Sequence, residues 1–423
     1  MKYQLLSLVL VALCSQLVFG EDNWTQFRGP RGDGVSDAKG LPVEWGVGKN
    51  VKWKTEIHGK AWSSPVVWGK QVWMSSATAD GHELFAVCVD ADTGKIIYDL
   101  KLFDIANPQY CIPFNSYGSP TPCIEEGRVY ITFGAPGTAC LDTATGKVLW
   151  TRTDFVCNHF RSAGSSPLLY HDLMYMNFDG SDHQFVVALD KKTGQTAWRT
   201  ERSIDYADLD PSGKPRADGD FRKAFSSPRI ANINGKDQLI SLGSKAIYGY
   251  DPVDGKELWR LEIKTSFSGS DTPVIKDGVI YYGTGHGSTD LVTFRPEGMG
   301  PLGEKNILWR THKSVPTRSS VVIADGLLYM TTDAGIVNCV DIKAGKVIWH
   351  DRIDGQYSAS PIYAEGKVYF FSEEGVATVL AAGNQFKVLT RNQLPDGFMA
   401  TPAISGKAFF LRTRTALYRV EKP

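Results

Sequence analysis

The chain has 423 residues, and its 46 Lys and Arg balance 46 Asp and Glu, so its formal net charge is zero. With 42% hydrophobic and 22% charged residues, it has the composition of a folded globular protein, which excludes disorder as the main state. The zero balance also excludes a general attraction to nucleic acid or to an anionic membrane, because such binding needs clustered Lys and Arg. The 42 glycines and 21 prolines predict many short strands joined by tight turns rather than helices.

The first 20 residues have the pattern of a secretory signal peptide. Lys2 precedes an apolar run from Leu5 to Leu13, and the segment ends in Val18-Phe19-Gly20. The run is shorter than the roughly 20 apolar residues that span a membrane. Leu13 is bulkier than the residue that a lipobox places before its cysteine, but lipidation of Cys14 stays open. We therefore expect a periplasmic or secreted protein that begins near Glu21 and has no transmembrane span.

One phrase recurs along the rest of the chain. A small residue, Pro and two apolar residues lead through a Gly turn to an aromatic residue eight places after the Pro, as from Pro65 to Trp73. An Asp, a Thr-Gly type turn and a second aromatic follow, as in Asp142, Gly146 and Trp150. Two alternating apolar runs lie between these halves, so each unit predicts four short antiparallel strands.

Eight such units fit between residues 51 and 420, at about 46 residues each, which is close to the blade length of β-propellers. The last unit ends without its fourth strand, and residues 51–57 match the pattern of the missing strand. The sequence therefore predicts an all-β, eight-bladed propeller over residues 51–423, preceded by an N-terminal extension over residues 21–50. An N-terminal strand would close the ring and remove the exposed edge of an open sheet.

The aromatic residue after each Thr-Gly turn is expected to fill the gap between neighbouring blades, because large aromatics dominate buried area. Structural docking roles are therefore predicted for Trp53, Tyr98, Trp150, Trp198, Trp259, Trp309 and Trp349.

The phrase from Cys140-Leu141-Asp142 through Thr145-Gly146 to Trp150, repeated with this spacing, resembles the tryptophan-docking repeat of the pyrroloquinoline-quinone-like (PQQ-like) β-propeller family. The segment Trp24-Thr25-Gln26-Phe27-Arg28-Gly29-Pro30 extends the similarity to exported BamB-like and quinoprotein-like propellers of planctomycetes. The resemblance implies one of two functions. One is a non-catalytic scaffold of the cell envelope, and the other is a dehydrogenase that oxidises alcohols or sugars with PQQ and calcium.

The chain departs from the quinoprotein pattern, because it has no adjacent cysteines and no Cys-x-x-Cys-His for haem attachment. The sequence therefore favours a non-catalytic binding protein whose partner is an envelope protein, a peptide or an anionic glycan. We expect this protein to be a monomer. In the dehydrogenase alternative, an Asp such as Asp271 would act as the base near calcium. No catalytic residue is predicted. No metal site is predicted either, since the acidic loop before the fourth unit lacks the order of ligands found in an EF-hand.

Every long insertion falls between units or between the second and third strands of a unit, which are positions on one face of a propeller. We name this the insertion-bearing face, and we expect function there because loops on a rigid scaffold vary freely. Seven basic or titratable side chains converge on its channel mouth, where they would attract an anion. With three aromatics, they make up the predicted ligand-binding set: His58, Lys60, Trp62, Tyr117, His159, Arg161, Arg222, Lys223, Arg318 and Tyr357.

The six cysteines after the signal peptide would lie in an oxidising compartment, which permits disulfides. Cys111 and Cys157 precede consecutive repeat prolines by eleven and ten residues, in neighbouring loops of the insertion-bearing face. A disulfide between them is therefore predicted. Cys88, Cys123, Cys140 and Cys339 occupy repeat strand positions, where packing explains them.

Overall fold

The structure is a computed structural model that describes residues 23–423. The predicted signal peptide and Cys14 lie outside the described residues. The described part of the chain folds into eight four-stranded antiparallel blades around a central channel, which confirms the predicted propeller. Two short 3-10 helices, Arg216–Arg222 and Glu304–Asn306, lie between strands. Within residues 23–423, no helix has the length and hydropathy that a membrane crossing requires.

The four strands of each blade follow one another from the channel outward. They are Val66–Trp68, Gln71–Ala77, Glu83–Asp90 and Ile96–Asp104 in blade 1; Cys123–Glu125, Arg128–Thr132, Thr138–Asp142 and Val148–Arg152 in blade 2; Leu168–Tyr170, Leu173–Asp179, Gln184–Asp190 and Thr196–Glu201 in blade 3; and Arg229–Ile233, Lys236–Leu242, Ala246–Tyr250 and Glu257–Glu262 in blade 4. They continue as Val274–Lys276, Val279–Gly283, Leu291–Phe294 and Ile307–Thr311 in blade 5; Val322–Ala324, Leu327–Thr331, Ile336–Asp341 and Val347–Arg352 in blade 6; Ile362–Ala364, Lys367–Phe371, Val376–Ala381 and Val388–Gln393 in blade 7; and Ala403–Ser405, Ala408–Arg412, Ala416–Glu421 and Val51–Glu56 in blade 8.

Blade 8 combines the two ends of the propeller. Val51–Glu56 pairs antiparallel with Ala416–Glu421, with Thr55 opposite Leu417. This pairing supplies the fourth strand that the last repeat lacks, and it closes the ring as the sequence predicts. The closing strand gives the third strand of blade 8 a hydrogen-bonded neighbour, so that strand is not left as an edge.

The repeated Asp and Thr residues shape the turn between the third and fourth strands. In blade 2, the Asp142 carboxylate accepts hydrogen bonds from the backbone N–H of Thr145 at 2.8 Å and from its hydroxyl at 2.8 Å. Gly146 follows with φ of +70°, a left-handed conformation that glycine adopts without steric cost. The sequence therefore encodes the turn locally, before any packing between blades.

Most of the predicted docking aromatics lie against the turn of the next blade. The Trp150 ring covers Gly194 of blade 3, where an added Cβ would lie 2.7 Å from the ring, and its indole N–H donates to the Lys191 carbonyl at 3.1 Å. Trp53 makes the same contacts with Gly94 across the ring closure. Equivalent contacts to the next blade are made by Tyr98, Trp198, Trp309 and Trp349.

Trp259 is the exception among these aromatics. An insertion replaces the Thr-Gly turn of blade 5, so the Trp259 ring covers Gly249 of its own blade and its N–H donates to Gln238 at 2.7 Å. Gly300–Leu302, from that insertion, pairs in parallel with the outer strand of blade 4. The insertion therefore occupies the side of blade 4 where the next turn would otherwise lie.

Residues 24–45, which we name the N-terminal plug, cross the channel at the face opposite the insertions. Trp24 exchanges backbone hydrogen bonds of 2.9 and 2.8 Å with Val67 of blade 1, and Gly34 accepts one from Tyr363 of blade 7. Trp24 is fully buried, and Trp45 packs on Tyr369 and Phe409. The plug therefore blocks one end of the channel and leaves the insertion-bearing end open.

Candidate ligand-binding site

The open end of the channel widens into a cavity of about 650 Å³. Residues from all eight blades surround it, and Phe27 of the N-terminal plug contributes to its lining from the closed end. The side chains that give the cavity its character are aromatic or charged: Phe27, Trp62, Phe114, Arg161, Asp220, Lys223, Phe225, Phe267, His286 and Arg318. This volume lies within the roughly 300–1,000 Å³ of small-molecule sites.

A ring of hydroxyl side chains surrounds the channel within this cavity. Each member directly precedes the repeat-proline position, one residue before the first strand of its blade, and in seven of the eight blades its backbone N–H donates to the hydroxyl of the member in the next blade. For example, Ser64 N–H donates to Thr121 Oγ1 at 2.9 Å, and Thr401 N–H closes the circle by donating to Ser64 Oγ at 3.0 Å. We name it the hydroxyl ring, and its accepting members are Ser64, Thr121, Ser166, Ser227, Ser320, Ser360 and Thr401.

The hydroxyl ring lacks one link among the residues that the structure describes. Thr272, at this position in blade 5, donates its N–H to Ser320, but its own hydroxyl is buried without a partner. The preceding residue, Asp271, is 2% exposed and accepts a hydrogen bond from the Gly283 N–H. Burial raises the pKa of Asp271 to about 7, although Arg28 of the plug opposes this. Asp271 does not line the cavity, so the structure does not place it as a base for a bound substrate.

A cluster from blades 3 and 4 carries charge on one side of the cavity. Asp220 contacts Lys223 Nζ through a carboxylate oxygen, and its other oxygen lies 3.5 Å from Arg161 Nη2. Lys223 Nζ also donates to the Asp220 carbonyl at 2.8 Å. Burial lowers the pKa of Lys223 to about 7, and repulsion from Arg161 acts in the same direction. One carboxylate thus offsets two basic side chains here.

Arg318 supplies the charge that blade 6 contributes. Its guanidinium lies 3.2 Å from Asp333 and 3.2 Å from Glu373, and it lies 4.2 Å from the centre of the Phe114 ring. Phe114 belongs to the loop between blades 1 and 2, so this contact bridges the channel mouth. Burial lowers the pKa of His286, which also lines the cavity.

Four of the ten predicted ligand-binding residues line this cavity: Trp62, Arg161, Lys223 and Arg318. Asp220, Phe114, Phe267 and the hydroxyl ring are the important residues that the prediction of ligand-binding residues omitted. The ring had a sequence signal, because a Ser or Thr precedes the start of the first strand in every unit. Phe27 had none, since nothing local indicates that the N-terminal extension enters the channel.

The other predicted residues make structural contacts around the cavity. His58 lies 2.9 Å from Asp99, and Lys60 donates to the Pro113 carbonyl at 2.6 Å. His159 is buried and accepts the Ala135 N–H at 3.0 Å. The remaining three bind neighbouring groups through their side chains: Tyr117 to the Gln109 carbonyl, Arg222 to the Asp208 carboxylate and Tyr357 to the Asp354 carbonyl. The sequence assigns these residues to the insertion-bearing face, but it could not show which way their side chains point.

The structure corrects the predicted disulfide, because Cys111 and Cys157 are both free thiols. Cys157 is buried beneath its own loop, where Sγ lies 3.8 Å from His159 Nδ1 and packs against Gly180. Cys111 is half-buried, with Sγ 3.5 Å from the Ile112 carbonyl. The two thiols therefore have different surroundings, although their loops are neighbours.

The donor set of the cavity does not fit calcium. Residues 23–423 contain no group of three or more His, Cys, Asp or Glu side chains that could hold a metal ion. Asp220, the acidic side chain in the cavity lining, is already engaged by Arg161 and Lys223. Calcium needs about six or more oxygen ligands. The basic side chains match the carboxylates of PQQ, but the metal that accompanies PQQ has no ligand set here.

The family model described as outer membrane protein assembly factor BamB matches residues 85–351 and 300–386. The chain belongs to this family of PQQ-like propellers. The fold that this family membership implies is the one found in the structure, with the tryptophan-docking repeats forming the blades.

The individual proteins that are similar to this chain include quinone-dependent alcohol dehydrogenases and BamB proteins. The chain is 28% identical over 166 residues to the dehydrogenase subunit of a quinone alcohol dehydrogenase from Acetobacter aceti, covering 38% of this chain and 21% of that protein. It is 22% identical over 206 residues to BamB of Yersinia pestis, covering 46% of this chain and 49% of that protein. The chain thus spans about half or less of the length of these relatives.

A solved quinohemoprotein alcohol dehydrogenase from Comamonas testosteroni is similar in fold, with a TM-score of 0.66 and 12% identity. The match covers 95% of this chain and 81% of that one. The chain is therefore a BamB-like and quinoprotein-dehydrogenase-like propeller.

Proposed function

We propose that this protein is an exported binding protein of the cell envelope that receives an anionic ligand in the cavity of its insertion-bearing face. The observation that carries the proposal is the charge of the cavity lining, in which Arg161, Lys223 and Arg318 are basic and Asp220 is acidic. Arg318 also contacts Asp333 and Glu373 outside the lining, so the excess positive charge lies at Arg161 and Lys223. Low-dielectric aromatic walls would strengthen their attraction for an anion. A protein or peptide partner could present a carboxylate side chain there, and a glycan could present an acidic sugar.

The alternative is a divergent PQQ-dependent dehydrogenase. The same three basic side chains would hold the quinone carboxylates, and the quinone would supply the hydride-accepting chemistry. The alternative is weaker because the cavity offers no calcium ligand set and Asp271 does not line it.

The test is calorimetric titration of residues 21–423 with isophthalate, glucose 6-phosphate, and PQQ with and without calcium. We expect saturable binding of at least one anion with one site per chain. Replacing Arg161 and Arg318 by Gln should weaken that binding about 30-fold or more, because removing a desolvated charge typically costs 2 kcal/mol or more. Arg310→Gln is the matched control, since this exposed arginine lies on the outer strand of blade 5.

The affinity for the anion should also depend on pH. Lys223 has a pKa of about 7, so it is charged below this pH and loses its proton as the pH rises through it. Binding should therefore weaken between pH 6 and pH 8, and Lys223→Met should flatten the profile.

Two results would contradict the proposal. Equal affinity in the double arginine variant and in the wild type would place the bound anion outside the cavity. Oxidation of alcohols or sugars with an artificial electron acceptor, dependent on added PQQ and calcium, would favour the dehydrogenase instead.

A further inference from the structure

The hydroxyl ring has hydrogen-bonding capacity that the protein does not use. Each hydroxyl has one proton and two lone pairs, and in the ring one lone pair accepts the N–H of the preceding blade. The Ser320 hydroxyl lies beside the Asp271 carboxylate, which can accept its proton. Among the described residues, the other six hydroxyls have no protein acceptor that would occupy their proton. Each can therefore donate one hydrogen bond into the cavity and accept another.

Such groups match a particular ligand chemistry. A carboxylate or a phosphate only accepts hydrogen bonds in its ionised form, so it would leave the free lone pairs of the ring unsatisfied. The hydroxyls of a sugar both donate and accept, and several of them project from one small ring. Because the backbone N–H groups hold the ring hydroxyls in place, little side-chain entropy would be lost on binding.

The walls of the cavity add two further requirements. Trp62, Phe114 and Phe267 contribute aromatic rings to the lining, and the C–H face of a pyranose ring can stack on an aromatic ring. One face of Phe114 is taken by Arg318, which leaves its other face and the other two rings for such a contact. Arg161 and Lys223 both contact Asp220 on one side of the cavity, and because this single carboxylate offsets only one of their two positive charges, they would still attract a further negative charge. A single ligand that satisfies all three features carries hydroxyls, an apolar ring face and an anionic group.

We propose that the cavity binds an acidic saccharide, that is, a hexuronic acid or the uronate unit of an anionic glycan. The carboxylate would lie at Arg161 and Lys223, the sugar ring would stack on the aromatic wall, and the sugar hydroxyls would bond to the hydroxyl ring. This inference rests on the proposed function, since it names the class of anion that the cavity receives. It also uses the remaining donor and acceptor capacity of the hydroxyl ring, which attraction of an anion alone would not use.

The test is a calorimetric comparison of four probes on residues 21–423. Trimers of galacturonate and of mannuronate contain every feature, the methyl ester of trigalacturonate lacks the charge, and cyclohexanecarboxylate lacks the hydroxyls. At least one uronate trimer should bind tenfold or more tightly than both incomplete probes. Arg161→Gln should weaken uronate binding at least tenfold and leave the affinity for the methyl ester unchanged.

A ring variant supplies an independent readout. Thr401→Val removes a hydroxyl of the ring and should weaken the uronate and its methyl ester by similar factors, while the affinity for cyclohexanecarboxylate stays the same. Thr272→Val is the matched control, because this hydroxyl does not line the cavity. The probe series on the unmodified protein remains informative if Thr401→Val fails to fold.

The outcomes separate the two proposals. If cyclohexanecarboxylate binds as tightly as the better uronate trimer, anion binding stands and the saccharide inference is wrong. If none of the four probes binds and the anions of the first test do, the saccharide inference is again wrong. Failure of every anion in both tests overturns the proposed function itself.

Discussion

At the scale of single residues, the glycine of each Thr-Gly turn has two roles that a local sequence pattern cannot separate. Its positive φ permits the turn, and its lack of a side chain lets the aromatic of the preceding blade lie on its Cα. Gly194 has both roles, with φ of +72° and the Trp150 ring above it. Gly127, which lies in the turn between the first and second strands of blade 2, has only the first, with φ of +75° and no atom within 4 Å of an added Cβ.

This pair allows a measurement of the docking contact. Both Gly→Ala variants should lose about 1–2 kcal/mol from the left-handed backbone. Gly194→Ala should lose a further 1–3 kcal/mol or so, because its Cβ would overlap the Trp150 ring. Urea denaturation of the two variants measures the difference, and equal losses would show that docking on the glycine contributes nothing.

At the residue scale, the structure also separates the predicted ligand-binding residues that line the cavity from those that do not. Arg222 and Arg161 come from neighbouring loops of the same face, yet Arg222 is paired with Asp208 outside the cavity while Arg161 lines it. Position in the repeat specifies the face and the blade. The direction of a long side chain depends on which carboxylate lies nearest, and that is decided by loop conformation.

At the scale of elements, the hydroxyl ring links the innermost strands to one another. Neighbouring blades share no backbone ladder there, so a side chain must accept the N–H at the start of each first strand. A buried N–H without a partner would cost about 1–3 kcal/mol. Seven of the eight steps around the ring satisfy this N–H with a Ser or Thr hydroxyl.

Two threonines of the ring provide a test, because the Thr401 hydroxyl accepts a backbone N–H of the preceding blade and the Thr272 hydroxyl does not. Thr401→Val should destabilise the protein by about 1–3 kcal/mol, because it leaves the Ser360 N–H without its acceptor. Thr272→Val should leave stability unchanged or raise it, since the Thr272 hydroxyl is buried without a partner. Chemical denaturation of both variants would decide the matter. A loss in Thr272→Val as large as in Thr401→Val would contradict the assigned role of the ring.

At the scale of the whole molecule, both ends of the chain contribute to a single closed structure. The closing strand Val51–Glu56 completes blade 8, and the N-terminal plug seals the channel end opposite the cavity. Arg28 of the plug is fully buried and donates to the Val321 carbonyl, 293 residues away in the sequence. Burial lowers the pKa of Arg28 to about 10, so the guanidinium remains charged at neutral pH.

Removal of the plug should therefore destabilise a molecule that still has all eight blades. A chain that begins at residue 51 keeps the closing strand but loses Trp24 and Trp45, which are 0% and 4% exposed. Removing one such aromatic side chain typically costs about 3–5 kcal/mol. We expect a clearly lower thermal midpoint than for residues 21–423, with Val47→Ser, a change at an exposed side chain, as the control. An unchanged midpoint would mean that the plug is an appendage.

The sequence by itself determined the number of blades, their strands, their Thr-Gly turns and the closing strand. These features arise from period-two alternation and from turn residues, which act over a few positions and recur along the chain. The docking of the aromatic residues also followed the repeat. The exception is Trp259, which packs within its own blade because an insertion replaces the Thr-Gly turn of blade 5.

Only the tertiary structure decided the contents of the site. The plug enters the channel through contacts with blades far along the chain, and Phe114 reaches Arg318 from a loop about 200 residues earlier in the sequence. Asp220 neutralises part of the basic cluster, and Cys111 and Cys157 remain apart, because loops of irregular length pack against one another rather than following a repeat. Local patterns specify strands, whereas the charge and shape of the cavity depend on which distant side chains meet.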